Sequence, residues 1–205
     1  LLRARMRFHH QAVVVLAVAP AVWLAYRALN GMLGVNPVED LLLTTGLWAF
    51  RFLLLSLAVT PLRQMTGWHS VIRFRRTLGL FAFFYTCLHL ATYVVLDQGV
   101  ELRFILADVA KRPFITAGMT AFLLMFPLAA TSTRGAMRRL GRRWQVLHRL
   151  VYISAAAAAL HFIWKVKVVA EEPIYYGVAL ILLLTFRVLR KAQAESAVRR
   201  QPAQA

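Results

Sequence analysis

The chain has 205 residues, of which 60% are hydrophobic and 16% charged, and it carries a formal net charge of +17. That composition argues against an ordinary soluble domain, and apolar runs of about 18 to 22 residues, each able to cross about 30 Å of hydrocarbon, remove most of the nucleic-acid reading of the charge. A single cysteine, Cys87, excludes an internal disulfide and paired-cysteine metal or redox motifs, and no glycine-rich phosphate loop or HExxH stands in the sequence.

Six spans are expected, at roughly 11–29, 41–60, 77–96, 114–131, 146–164 and 173–189, which makes the protein an all-α six-transmembrane helix bundle. The first has a basic flank and an Ala17-Val18-Ala19 tract, yet its apolar run continues to Tyr26, so it is expected to stay as a span. Turn and start signals punctuate the rest: Asn30-Gly31, Thr60-Pro61, Asp97-Gln98-Gly99, Arg112-Pro113 and Glu172-Pro173. No repeat of 20–50 residues is visible. Residues 1–191 are expected to form one membrane domain, and 192–205, rich in Ala, Arg and Gln, a disordered tail. Any soluble redox domain is then expected on a separate polypeptide.

The loop charges orient the bundle. One side collects Arg3, Arg5, Arg7, Arg63, Arg73, Arg75, Arg76, Arg134, Arg138, Arg139, Arg142, Arg143, Arg187, Arg190, Lys191, Arg199 and Arg200. The other holds Arg103, Lys111, Arg112, Lys165 and Lys167 with seven of the eight acids. Both termini are therefore expected in the cytoplasm, with the basic loops facing anionic lipid.

Ionisable residues inside spans are costly and mark function by default. His89 lies twelve residues into the third span and His161 fifteen into the fifth. At about 1.5 Å per residue both reach similar depth in the outer half on helices that run the same way. Two imidazoles facing each other there suit the axial ligation of a haem iron. A single intramembrane histidine is more often hydrogen-bonded helix glue, and matched depth is what raises the pair above that. His148, thirteen residues before His161, falls near the inner surface, where a second cofactor has room to stack; on an unbroken helix the two side chains point about 140° apart. Ala155 to Ala159 between them suit close approach of either a helix or a flat cofactor. Arg51, mid-span, needs an anion such as a haem propionate, or else snorkels or pairs with carbonyls. Arg75 and Arg76 serve as inner anchors or hold propionate or flavin phosphate.

Thr60-Pro61-Leu62-Arg63, Arg75 to Leu80, Tyr85 to His89, Lys111 to Gly118, Pro127 to Ser132 and Leu140 to Leu150 resemble the MsrQ family, formerly YedZ. These are the haem-binding membrane subunits of the periplasmic methionine sulfoxide reductase system, related to the ferric reductase-like transmembrane domain. The resemblance runs from about the second span to the sixth. It implies a conduit in the bacterial inner membrane with haem b (one or two) and bound FMN. It also implies that quinol or a cytoplasmic flavin reductase donates electrons, and that a periplasmic molybdopterin-containing reductase subunit accepts them in a heterodimer. Carried over, the haem histidines are His89, His148 and His161. The chain departs from the wider superfamily, which has two histidines on each of two helices: where a partner for His148 would stand, the third helix has Arg75 and Arg76.

The expected function is thus electron transfer, the cofactor supplying the redox chemistry and the protein its ligands and burial. Two rivals are a small transporter with a histidine proton relay and a non-catalytic membrane scaffold. A transporter would be expected to show internal repeats and broken helices in matching halves.

Overall fold

The computed structural model describes residues 2–165 and 171–200, and among these the chain is helical throughout, without strands. Six segments are long and apolar enough to span a bilayer: His9–Leu29, Pro37–Thr66, His69–Asp97, Pro113–Ala130, Arg142–Lys165 and Glu171–Ser196. They coincide with the six expected spans. The outward faces are apolar, with side chains such as Leu16, Leu123 and Leu182 more than half exposed, as a lipid solvent requires.

Helix α1 (Leu2–Leu29) is interrupted chemically by Pro20, which has no N–H to donate. Tyr85, fully buried on the third span, repairs the ladder next to it. Its hydroxyl donates to the Ala17 carbonyl at 2.8 Å and accepts from the Ala21 N–H at 2.9 Å, standing inside the bond those two groups would otherwise make. Helix α2 (Pro37–Thr66) starts at Asn36, whose side chain accepts from the Glu39 N–H, with Pro37 in the first turn and Glu39 and Asp40 complementing the dipole. It ends at Gly67, which takes a left-handed φ of 69° and donates to the Arg63 carbonyl.

The third span is a short 3-10 turn (His69–Arg73), helix α3 (Phe74–Ala91) and a π-helical turn (Thr92–Asp97). An amphipathic helix, α4 (Leu102–Lys111), crosses that end of the bundle and leads into α5 (Pro113–Ala130). At the opposite end two short helices, α6 (Arg134–Leu140) and α7 (Arg142–Leu147), precede α8 (Leu150–Lys165). Helix α9 (Glu171–Arg200) closes the bundle against α8 and α2.

The closest packing is within two hairpins, α2 with α3 and α5 with α8. Ser154 of α8, fully buried, donates to the Ala121 carbonyl of α5 at 3.0 Å, and its neighbour Ala155 is equally buried. The start of the alanine run therefore serves close helix approach, while Ala158 lines the cavity described below.

Two expectations change. The fifth span is not one helix: His148 and Arg149 form a turn between α7 and α8, with Arg149 N–H on the Val146 carbonyl and Tyr152 N–H on the Arg149 carbonyl. These three-residue bonds overwind the chain, so the 140° angle computed for an unbroken helix between His148 and His161 does not apply. At the other end, α9 continues past residue 192 to Arg200, through good helix formers and a Lys191–Glu195 ion pair one turn apart. Of the expected tail, residues 201–205 lie outside the described residues, as does Lys167 among the outer cations.

Candidate functional site

His89 of α3 and His161 of α8 meet in the middle of the four-helix arrangement formed by the two hairpins. Their ring centroids are 5.9 Å apart and their planes stand 80° to each other. Both line one cavity of about 410 Å³, bounded by α2, α3, α5 and α8, a size ordinary for a small-molecule or cofactor site.

Each ring is clasped in the same way. His89 Nδ1 lies 2.9 Å from the Leu42 carbonyl, and His161 Nδ1 lies 2.6 Å from the Phe114 carbonyl. A carbonyl only accepts, so both Nδ1 atoms carry the proton and donate it, which leaves Nε2 as the nitrogen with a free lone pair. One turn further along each partner helix is a glycine beneath the ring. A Cβ on Gly46 would stand 3.1 Å from His89 Nδ1, and one on Gly118 only 2.7 Å from His161 Nδ1. These glycines let the imidazoles lie directly on the helix backbone.

The correspondence extends beyond these atoms. Both clasps join residues 47 positions apart, and Leu42, Gly46 and His89 each precede Phe114, Gly118 and His161 by about 72 positions. Thr44-x-Gly46-x-x-Ala49-Phe50 recurs as Thr116-x-Gly118-x-x-Ala121-Phe122, and Leu88-His89 as Leu160-His161. The two hairpins are a repeat, too long in period and too diverged to show at 20–50 residues. The absence of repeats thus no longer counts against a transporter.

Two imidazoles with Nδ1 tied back to carbonyls and Nε2 free form the donor set of a bis-histidine metal centre. Two metal–nitrogen bonds of about 2 Å, plus about 1 Å from each nitrogen to its ring centre, put the ring centres about 6 Å apart, close to the separation found. The residues therefore fit a flat metallocofactor, and Ala158, Phe50 and Met125 give the cavity wall its apolar part. Among the described residues no group of three or more His, Cys, Asp or Glu is placed to hold a bare metal ion.

The other sequence candidates sit elsewhere. His148 stacks on Trp144 with centroids 3.8 Å apart, and its Nε2 is 3.2 Å from the Thr131 hydroxyl; the Trp144 indole donates to the Thr131 carbonyl. Trp144 thus fixes the ring plane of His148. Arg75 lies within electrostatic range of His148, Arg187 and Tyr152, and its carbonyl accepts from Ser56 at 3.0 Å. Arg76 is exposed. Arg187 of α9, read from sequence only as an inner cation, donates to the Tyr152 hydroxyl and the Leu57 carbonyl, both at 2.6 Å.

Arg51 is not among the residues lining the cavity. Its Nε donates to the Tyr176 hydroxyl at 2.7 Å and its guanidinium lies 4.9 Å from the Trp48 ring centre. Aromatic faces and a phenol oxygen stand where the sequence offered an anion, snorkelling or a backbone carbonyl. Cys87 is a free, half-buried thiol.

Sequence reasoning missed Gly46, Gly118 and the two carbonyls. The recurrence of Thr-x-Gly-x-x-Ala-Phe is the signal that could have found them, because only a glycine admits an imbedded ring one turn from the carbonyl that orients it.

Residues 45–159 match the model of the "Ferric reductase like transmembrane component" family. Among curated proteins, the chain is 49% identical over 171 residues to a "Protein-methionine-sulfoxide reductase heme-binding subunit MsrQ" from Brucella anthropi, an alignment covering 83% of this chain and 77% of that protein. Proteins of the same description from Brucella ovis and Brucella suis are 48% identical over the same shares. No solved structure matches.

Proposed function

The chain belongs to the MsrQ family of ferric reductase-like membrane proteins, and from that premise we propose that it is a b-type cytochrome subunit that carries electrons across a membrane. One observation carries the reading: His89 and His161 stand 5.9 Å apart in a shared cavity, each turned by a carbonyl clasp so that Nε2 is free. When bound, haem supplies reversible one-electron chemistry.

The chain's own residues do the rest. His89 and His161 would hold the iron through their Nε2 atoms. The Leu42 and Phe114 carbonyls fix tautomer and ring orientation and raise ligand basicity. The apolar wall excludes water and sets the local dielectric. The protein makes and breaks no substrate bond.

Loop charges support an orientation with both termini in the cytoplasm of a bacterium and the protein in its inner membrane. In that orientation the His89–His161 pair lies toward the periplasm. The family resemblance supplies the ends of the route: quinol or a cytoplasmic flavin reductase as donor, and a periplasmic molybdopterin-containing methionine sulfoxide reductase as acceptor. His148 and Arg75, grouped near the inner end, are the residues through which a second haem or FMN would be held. Arginine keeps its proton and is a poor iron ligand but suits propionate or phosphate oxygens. We take residues 1–191 as the working membrane domain.

The half-chain repeat gives a small transporter its one specific support, since parallel repeats occur in transporters. Against that, a proton relay needs ionisable groups in succession through the bilayer, whereas His89 and His161 sit side by side at one level.

An absorption spectrum of the purified full chain after haem-replete expression tests the reading. A dithionite-reducible Soret band with low-spin α and β bands, lost in His89→Ala and in His161→Ala, is expected. A colourless wild-type protein would overturn it, and in that case proton flux in vesicles would be the assay to run.

A further inference from the structure

The cavity between His89 and His161 is chemically lopsided. Deep in the bundle its wall is apolar, formed by residues such as Phe50, Leu53, Ala121 and Met125. Its polar side chains gather at the rim beside the π-helical turn and α4, where Asn36, Glu39, Asp97, Arg112 and Lys165 line it.

Two of those five are cations, and the helix that positions each one belongs to the His161 hairpin. Arg112 is the residue immediately before α5, two positions from the clasp carbonyl of Phe114. Lys165 is the last residue of α8, four beyond His161. Neither is committed to a strong partner. Lys165 Nζ stands 3.8 Å from Glu39, and Arg112 Nε stands 3.3 Å from Asp108, with side chains 42% and 56% exposed respectively. Such pairs hold little free energy and exchange partners readily. The acids are occupied in turn: at the rim Glu39 also accepts from Asn36 at 3.3 Å and Asp97 from Gln98 at 2.8 Å, and outside the cavity lining Asp108 accepts from the Tyr93 hydroxyl at 3.2 Å.

Haem is itself lopsided, apolar around most of the macrocycle with two carboxylates on one edge. A carboxylate turned into the apolar end of this cavity would be buried without a partner, which a low-dielectric surround penalises heavily. Arg51, the cation that sequence offers for that role, is engaged with Trp48 and Tyr176 and does not reach the cavity.

We propose that Arg112 and Lys165 form an anion-holding lip that receives the two propionates, so that the carboxylate edge of the macrocycle faces the outer mouth of the cavity. This rests on the haem reading of the His89–His161 pair and adds to it a direction and two positioning residues. Arg112 offers its planar guanidinium, and Lys165 exchanges Glu39 for a propionate.

The test uses the full-length haem-loaded protein in nanodiscs and follows haem transfer to excess apomyoglobin. Arg112→Gln and Lys165→Gln are each expected to speed haem loss about 5-fold, and the double variant about 25-fold, with the low-spin band position unchanged. The same proteins are then reconstituted with haem dimethyl ester, which has no carboxylate to hold. There, wild type and variants should release the cofactor at one common rate. Wild-type release rates in both variants with ordinary haem would overturn the lip. So would an acceleration of equal size with the ester, which would mean that the substitutions had only loosened the cavity. Either result leaves the cytochrome reading standing if the wild-type band is normal, whereas a wild type that takes up no haem overturns both.

Discussion

Gly118→Ala is the sharpest single-atom perturbation of the centre. The added Cβ would stand 2.7 Å from His161 Nδ1 and 3.0 Å from Cε1, whereas ordinary contact is about 3.5 Å or more, so the ring must retreat by roughly 0.8 Å. It has no slack in which to do so, because the same Nδ1 is tied to the Phe114 carbonyl at 2.6 Å, one turn away on the same helix. Overpacking costs about 1–3 kcal/mol and the lost hydrogen bond about 1 kcal/mol, offset by about 1 kcal/mol of improved helix propensity, a net loss of about 1–3 kcal/mol. Disturbing the partner that orients a metal-ligating histidine lowers affinity by roughly 10- to 100-fold. Gly46→Ala is the internal control. Its Cβ meets His89 at 3.1 Å, a shift of roughly 0.4 Å suffices, and affinity should stay within about threefold of wild type. Haem content per chain and the low-spin spectrum, measured on detergent-purified variants, read the difference. Equal haem content in wild type and Gly118→Ala, or a larger defect in Gly46→Ala, would refute the clasp.

Tyr85→Phe strips the hydroxyl that bridges Ala17 and Ala21, replacing two hydrogen bonds by the single one those groups can make with each other; a loss of about 0.5–1.5 kcal/mol is expected in detergent unfolding, and an unchanged midpoint would show that α1 needs no such repair. Arg51→Leu should leave haem content and band position as in wild type while lowering thermal stability, since its partners are Trp48 and Tyr176; loss of haem would return Arg51 to the cofactor. His148→Ala should keep the His89–His161 spectrum and slow reduction from the cytoplasmic side, and disappearance of that spectrum in a folded variant would mean that His148 is one of its ligands.

The spans were readable because a bilayer demands length and apolarity from each segment separately, with no need for tertiary knowledge. The His89–His161 pairing was readable for a related reason: depth along a helix follows from residue count, and co-directional helices bring equal depths together. Rotation about a helix axis is less secure. One turn of tighter winding at His148 and Arg149 was enough to void the angle inferred between His148 and His161. For Arg51 the sequence offered an anion, snorkelling or a backbone carbonyl, and the indole face and phenol oxygen it meets come from residues that composition scores as apolar. The clasp carbonyls were beyond reach, since a backbone oxygen leaves no trace in a sequence. The glycines beside them do leave one, at a separation of more than seventy residues, where a search for short repeats does not look.

The two hairpins match closely where they clasp their histidines and differ at the opposite end, where His148 of one answers to Arg76 of the other, and where Arg76 turns outward while its neighbour Arg75 lies near His148. Both hairpins run the same way, so the pseudo-axis that relates them lies along the bundle and makes its two sides alike, not its two ends. At the clasps this gives the two histidines equal standing about the cavity, whereas at the other end His148 and Arg76 set one side of the bundle apart from the other. A group held there would meet two unlike walls, and substitutions that restored likeness between them would be expected to leave the clasped pair intact.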